Sequence, residues 1–248
     1  MNKHLIALLL FFMLASGLDA QPVKKRPPNA VIIFIDDMGY ADLSCYGNPL
    51  MITPNMDALA EGGIRFTNFY VNSPICSPSR VALLTGQYPM RHRIHSYLAS
   101  SERNEARSMA QYLDPRAPSL ARVLKSHGYA TGHFGKWHMG GGRDIDWAPL
   151  PQAYGFDRSL VSFEGLGDRV LEIDHGLSDQ SAELGKGHIL WRHKYEKTEL
   201  YVDSALAFIE KKRDKPFYIN LWPGDVHDRH KPMPGVAEKY RDVSDNPY

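Results

Sequence analysis

Apolar positions along this chain fall into two rhythms, and the change from one to the other outlines a fold. Ala30 to Ile35 is an unbroken β-branched and aromatic run that stops at Asp36-Asp37, which predicts a strand buried on both faces of a sheet. Thr53 offers an N-cap and Pro54 a first helical position, and Asn55 to Glu61 then run to a Gly62-Gly63 stop, so a short helix is expected. Ser119 to His127 places Leu120, Val123 and Leu124 at helical spacing before Gly128, and Tyr129 to Phe134 reads as a second strand. Thr198 to Arg213 repeats the helical rhythm through Leu200, Tyr201, Ala205, Phe208 and Ile209, with cations at its end; Pro216 then opens a strand over Phe217 to Trp222. Strands separated by helices predict an α/β fold, a mostly parallel central sheet flanked by helices. Its functional groups belong beyond the carboxyl ends of the strands. Between Gly140 and Lys197 no period is sustained, and this stretch reads as an elaborated surface region.

The amino terminus follows a different grammar. Lys3 and His4 precede ten apolar residues, Leu5 to Leu14, and small residues follow up to Ala20, which predicts a secretory signal peptide over 1–20. The apolar run is too short for a membrane span, so no stable membrane anchor is expected, and the protein is expected to be exported to a periplasmic or extracellular space. Residues 21–29 form a linker and 30–248 a single domain. With 29 basic against 28 acidic residues, net charge is +1, which gives no reason to invoke nucleic acid. In an exported protein two cysteines, Cys45 and Cys76, ordinarily suggest a disulfide.

Local chemistry changes that picture. Two adjacent carboxylates closing an apolar strand repel each other unless a cation or several donors lie between them, so Asp36-Asp37 reads as a hard-metal site or as a turn. The run Pro74-Ile75-Cys76-Ser77-Pro78-Ser79-Arg80-Val81-Ala82-Leu83-Leu84-Thr85-Gly86 carries a Cys-x-Pro-x-Arg core. That run resembles the signature of the formylglycine-dependent sulfatases, within the alkaline-phosphatase-like superfamily. Asp36 to Gly47 and Thr53 to Tyr70 resemble the same family's amino-terminal pattern, and Gly128 to His138 its second signature, with Phe134 larger than usual.

The resemblance implies a sulfuric ester hydrolase in which Cys76 is converted to formylglycine by a formylglycine-generating enzyme. One hydroxyl of the hydrated aldehyde attacks sulfur in line and releases the alcohol, leaving a sulfated enzyme, and the other later loses its proton to expel sulfate and restore the aldehyde. Asp36, Asp37 and the modified Cys76 are implied ligands of a divalent ion, Ca²⁺ or Mg²⁺. Arg80 and Lys136 supply fixed positive charge, and His138 assists the nucleophile. His227 is expected as general acid, with His230 as its rival. Among the other histidines, His175 and His193 are candidates for substrate contact; the rest read as surface or core residues. The implied substrate is a sulfated carbohydrate or an aryl sulfate. The family's further Asp-Asn or Asp-His metal pair has no acceptable match, since Ser244-Asp245-Asn246 follows a polar stretch, so the domain is expected to be incomplete at its C-terminal end. Two other readings stay open. One is a truncated inactive or glycan-binding protein; the other is a phosphatase or phosphodiesterase of the same superfamily, against which Cys76 in place of Ser or Thr argues.

Overall fold

The computed structural model describes residues 26–241. The expected signal peptide, most of the linker and the Ser244-Asp245-Asn246 segment lie outside the described residues. Among the described residues six strands make one wholly parallel sheet: β1 (Ala30–Ile33), β2 (Ala130–Lys136), β3 (Arg158–Ser162), β4 (Arg169–Glu172), β5 (Ile189–Arg192) and β6 (Phe217–Trp222), in the order β1-β6-β2-β3-β4-β5. The helices are α1 (Pro54–Glu61), α2 (Cys76–Thr85), α3 (Ser101–Ala106), α4 (Leu120–Ser126), α5 (Gly176–Glu183), α6 (Lys197–Lys211) and α7 (Val236–Lys239). No described helix is long and apolar enough to cross a membrane.

The strand period of two divides the core. Phe217 and Ile219 of β6 pack with Ala130 and Phe134 of β2 against Tyr201, Ala205 and Phe208 of α6. The alternate residues Tyr218 and Trp222 join Val81 and Leu84 of α2, Ala121 of α4, and Trp137, Tyr154 and Phe156 on the opposite face. Phe134 fits by filling space left by a small neighbour: a Cβ on Gly132 would lie 2.8 Å from its ring.

Two expectations need correction. Among the described residues β1 is not covered on both faces: it lies at one edge of the sheet, and Val31 and Ile33 on one of its faces stay 48% and 54% exposed; a β-branched run reports strand propensity without reporting position in the sheet. The stretch from Gly140 to Lys197 is no mere surface elaboration, since it supplies β3, β4, β5 and α5. Its strands are four or five residues long and carry Arg158, Arg169, Glu172 and Arg192, too short and too charged to establish a period.

Candidate active site

The site forms where β1, β6 and β2 end. Extended pairing continues past β1, with the Phe34 N–H donating to the Leu221 carbonyl and the Asp36 N–H to that of Pro223, both at 3.1 Å, so Asp36 is held at the carboxyl edge of the sheet. Asp37 then turns the chain with φ of 62°, a left-handed conformation that Asp tolerates better than most residues, and its side chain is 49% exposed. On β2, Gly135 makes the close approach that carries Lys136 to the same edge. Its φ is +123°, and a Cβ there would stand 2.1 Å from the Trp222 carbonyl oxygen.

Cys76 opens α2. Pro78 is tolerated in the first turn because its missing N–H has no intrahelical acceptor there, and Gly86 closes the helix in a left-handed cap. The helix rise brings Arg80 one turn beyond Cys76. Its guanidinium is 1% exposed, lies 5.1 Å from the Trp222 ring centroid, donates to the Lys136 carbonyl at 3.2 Å and pairs with Asp36 Oδ1 at 2.7 Å.

The second Asp36 oxygen accepts from Lys136 Nζ at 2.5 Å, and the same ammonium lies 3.4 Å from Cys76 Sγ. Burial alone would raise the Asp36 carboxyl, but the Arg80 and Lys136 charges outweigh it and hold it well below the usual carboxylate range. Burial pushes the Cys76 thiol up, with Lys136 offsetting only part of the effect, so the thiol stays protonated near neutral pH. Both cysteines are free, which removes the disulfide reading.

The structure brings His227 to this point. Its Nε2 stands 3.5 Å from Asp37 Oδ2 and 3.9 Å from Asp36 Oδ2, whereas His230 is exposed and turns its Nε2 to the Val226 carbonyl. Asp36, Cys76 and His227 each offer a ligand atom, all within 4.8 Å of one another. His138 is buried nearby, its Nε2 on the Leu98 carbonyl at 3.0 Å, its Nδ1 without a partner among the described residues, and its ring edge-on to Phe163. Burial keeps it neutral, with the Lys136 charge acting in the same direction. His133 is buried among Trp137, Phe156 and Trp222 and is pushed down to about 3 by burial, a core residue as expected. His193 stacks on Tyr195, while His175 lines the cavity described next.

A cavity of about 420 Å³ extends from Asp36, Lys136 and His227 to the ends of β3 and β4 and the start of α6. Its far wall holds Glu172, Asp174, Lys194, Lys197 and Lys231, none of which the sequence signalled as functional. They stand singly in unpatterned sequence, and only the sheet order brings them together.

This arrangement defines a parallel α/β protein with a buried cation pair and a half-exposed carboxylate around one cysteine at the carboxyl edge of its sheet. The family model described as Sulfatase matches residues 28–247, and the chain belongs to the sulfatase family. It is 47% identical to human arylsulfatase A over 152 residues, 61% of this chain and 27% of that protein. It is 30% identical to the N-acetylgalactosamine-6-O-sulfatase of Bacteroides thetaiotaomicron over 298 aligned positions, 96% of this chain and 56% of that one. A solved sulfatase structure from work on glycosaminoglycan metabolism in Bacteroides thetaiotaomicron superposes with a TM-score of 0.67 at 29% identity, covering 87% of this chain and 55% of its own. The chain thus spans between about a quarter and somewhat over half the length of these relatives.

Proposed function

We propose that this chain carries the nucleophile and the sulfate-binding pole of an exported sulfuric ester hydrolase acting on a sulfated glycan or an aryl sulfate. The observation that carries this reading is the meeting of Asp36, Arg80, Lys136 and Cys76, from three separate elements, at one buried point. The conversion motif around Cys76 supports formylglycine, and so does the state of the thiol itself. A protonated thiol is a weak nucleophile, whereas a hydrated aldehyde at the same carbon supplies an oxygen nucleophile with a built-in exit for sulfate.

Charge supports a divalent ion. Asp36 and Asp37 against Arg80 and Lys136 sum to zero, a poor field for a sulfate ester whose leaving oxygen gains negative charge. The two carboxylates fit a hard ion, and oxygen in place of sulfur on residue 76 would fit it better than the thiol does. Ca²⁺ or Mg²⁺ held there would neutralise sulfate oxygens and orient the attacking hydroxyl.

Around this, Lys136 and Arg80 fix positive charge beside the sulfur. His138, held neutral by burial and with no partner on Nδ1 among the described residues, is suited to accept a hydrogen bond from the attacking group rather than to carry its proton, and His227, at the cavity side of the carboxylates, is placed to donate a proton to the leaving oxygen. Export rests on the apolar run over Leu5 to Leu14.

The test is expression beside a formylglycine-generating enzyme, followed by assay of an aryl sulfate and the matching aryl phosphate with added Ca²⁺. Weak hydrolysis of the sulfate, lost in Cys76→Ala, is the expected outcome. Preference for the phosphate, or turnover that survives Cys76→Ala, overturns the reading.

A further inference from the structure

The cavity has two ends of unlike construction. At one end Asp36, Lys136 and His227 surround the position assigned to sulfate; at the other stands a network that the sulfate chemistry does not use. Glu172 closes β4 and is clamped between two ammoniums, Lys197 Nζ on Oε2 at 3.0 Å and Lys231 Nζ on Oε1 at 3.1 Å. The three come from β4, α6 and the loop after β6, so the clamp ties that loop to the opposite wall. Lys194 strengthens the tie by donating to the backbone carbonyls of His227 and Arg229.

What this wall can recognise follows from its remaining hydrogen-bond capacity. Each ammonium has three donors, and among the described residues one donor on Lys197 and one on Lys231 is taken by Glu172. Asp174 and His175 add an acceptor and an imidazole at the same wall. Donors and acceptors therefore stand together on this wall. A hydroxyl, being both donor and acceptor, satisfies such a surface, whereas a phenyl or steroid face would strip water from charged groups and return no hydrogen bonds. Of the two aromatic rings lining the cavity, Phe163 lies against Lys136 and His138 at the sulfate end, and Tyr201 is buried in the core beneath α6. A cavity of about 420 Å³ falls within the size range of small-molecule sites.

Building on the sulfatase reading, we infer that the Glu172–Lys197–Lys231 clamp is the leaving-group subsite and takes a hydroxylated sugar ring, so the alcohol released is a carbohydrate rather than a phenol or a sterol. Glu172 orients the two ammoniums and accepts ring hydroxyl protons, while Lys197 and Lys231 donate to ring oxygens.

The test is calorimetric titration of the full chain carrying Cys76→Ala, which cannot turn over, with a panel of mono-O-sulfated galactoses and glucosamines, phenyl sulfate and inorganic sulfate. At least one sugar sulfate is expected to bind about tenfold tighter than phenyl sulfate. Glu172→Gln and Lys231→Met are each expected to weaken that sugar sulfate about fivefold while leaving phenyl sulfate and inorganic sulfate within about twofold. Unchanged thermal melts show that the variants fold, and Lys231, 40% exposed, is the safer of the two in this respect. Equal affinity for sugar and phenyl sulfates, or sugar affinity indifferent to both substitutions, overturns the subsite while inorganic sulfate still binds. Absence of binding by every sulfate, inorganic sulfate included, overturns the sulfate pole and the subsite with it.

Discussion

The two ends of the cavity differ in how their charges are held. At the sulfate pole Asp36, Arg80 and Lys136 are 5%, 1% and 6% exposed, and every charge there leans on another. At the far wall the Glu172 clamp is wetter, with the Lys231 side chain 40% exposed. A buried network is costly to break because a stranded charge has no water to turn to, while a partly solvated clamp can lose a member and be rehydrated. The pole is thus held rigidly by its buried charges, whereas the wall can lose one charge without stranding the others.

Breaking the pole should give the largest effect. Asp36→Ala leaves Arg80 and Lys136 buried and unpaired, and is expected to lower unfolding free energy by about 3–5 kcal/mol in urea denaturation. Because the folded carboxyl titrates below its unfolded value, the stability Asp36 brings is present above the unfolded pKa and is lost only as pH falls through the depressed one. A loss below 1 kcal/mol would make the pole no different from a surface pair.

Glu164 offers a pH-based contrast close to both ends. It pairs with Arg143 at 2.5 Å, yet burial pushes its carboxyl up to about 7, with Arg143 offsetting only part of the rise. Its folded value exceeds its unfolded one, so its contribution is complete below about 4.5 and is lost as pH rises through about 7. The loss is ~3 kcal/mol for a shift of this size. Stability measured by urea titration from pH 4.5 to 8 should fall in the native chain, and Glu164→Gln should remove most of that slope. A slope unchanged in the variant would place the titration elsewhere.

Smaller effects belong to the wall and to the edge. Glu172→Gln should cost about 1 kcal/mol, since both its ammonium partners can be rehydrated. Val31→Thr, on the open face of β1, should change stability by less than about 0.5 kcal/mol, and a larger loss would show that this face is covered in solution.

The same contrast explains what could be read from the sequence. The pole was legible because its residues sit in contiguous runs: Asp36-Asp37 closes an apolar strand, Cys76 and Arg80 share the Cys-x-Pro-x-Arg core, and Lys136 lies in the Gly128 to His138 run that resembles the family's second signature. Helices α1, α4 and α6 and strands β1, β2 and β6 were legible from periodicity to within a residue or two at most ends. The wall was not, because Glu172, Lys194, Lys197 and Lys231 are brought together by the order β2-β3-β4-β5, and strands of four or five residues leave no rhythm. Helix α2 was hidden for a different reason, with Pro78 in its first turn and no polar face to betray it.

The account's central claim concerns one side chain. It is tested most directly by the mass of the peptide containing Cys76 after expression beside an active formylglycine-generating enzyme. The account predicts, after thiol alkylation, an unalkylated peptide whose mass is lowered by the difference between a CH₂SH and a CHO group. A peptide that keeps its intact thiol, or one joined through a disulfide to the peptide containing Cys45, would contradict it.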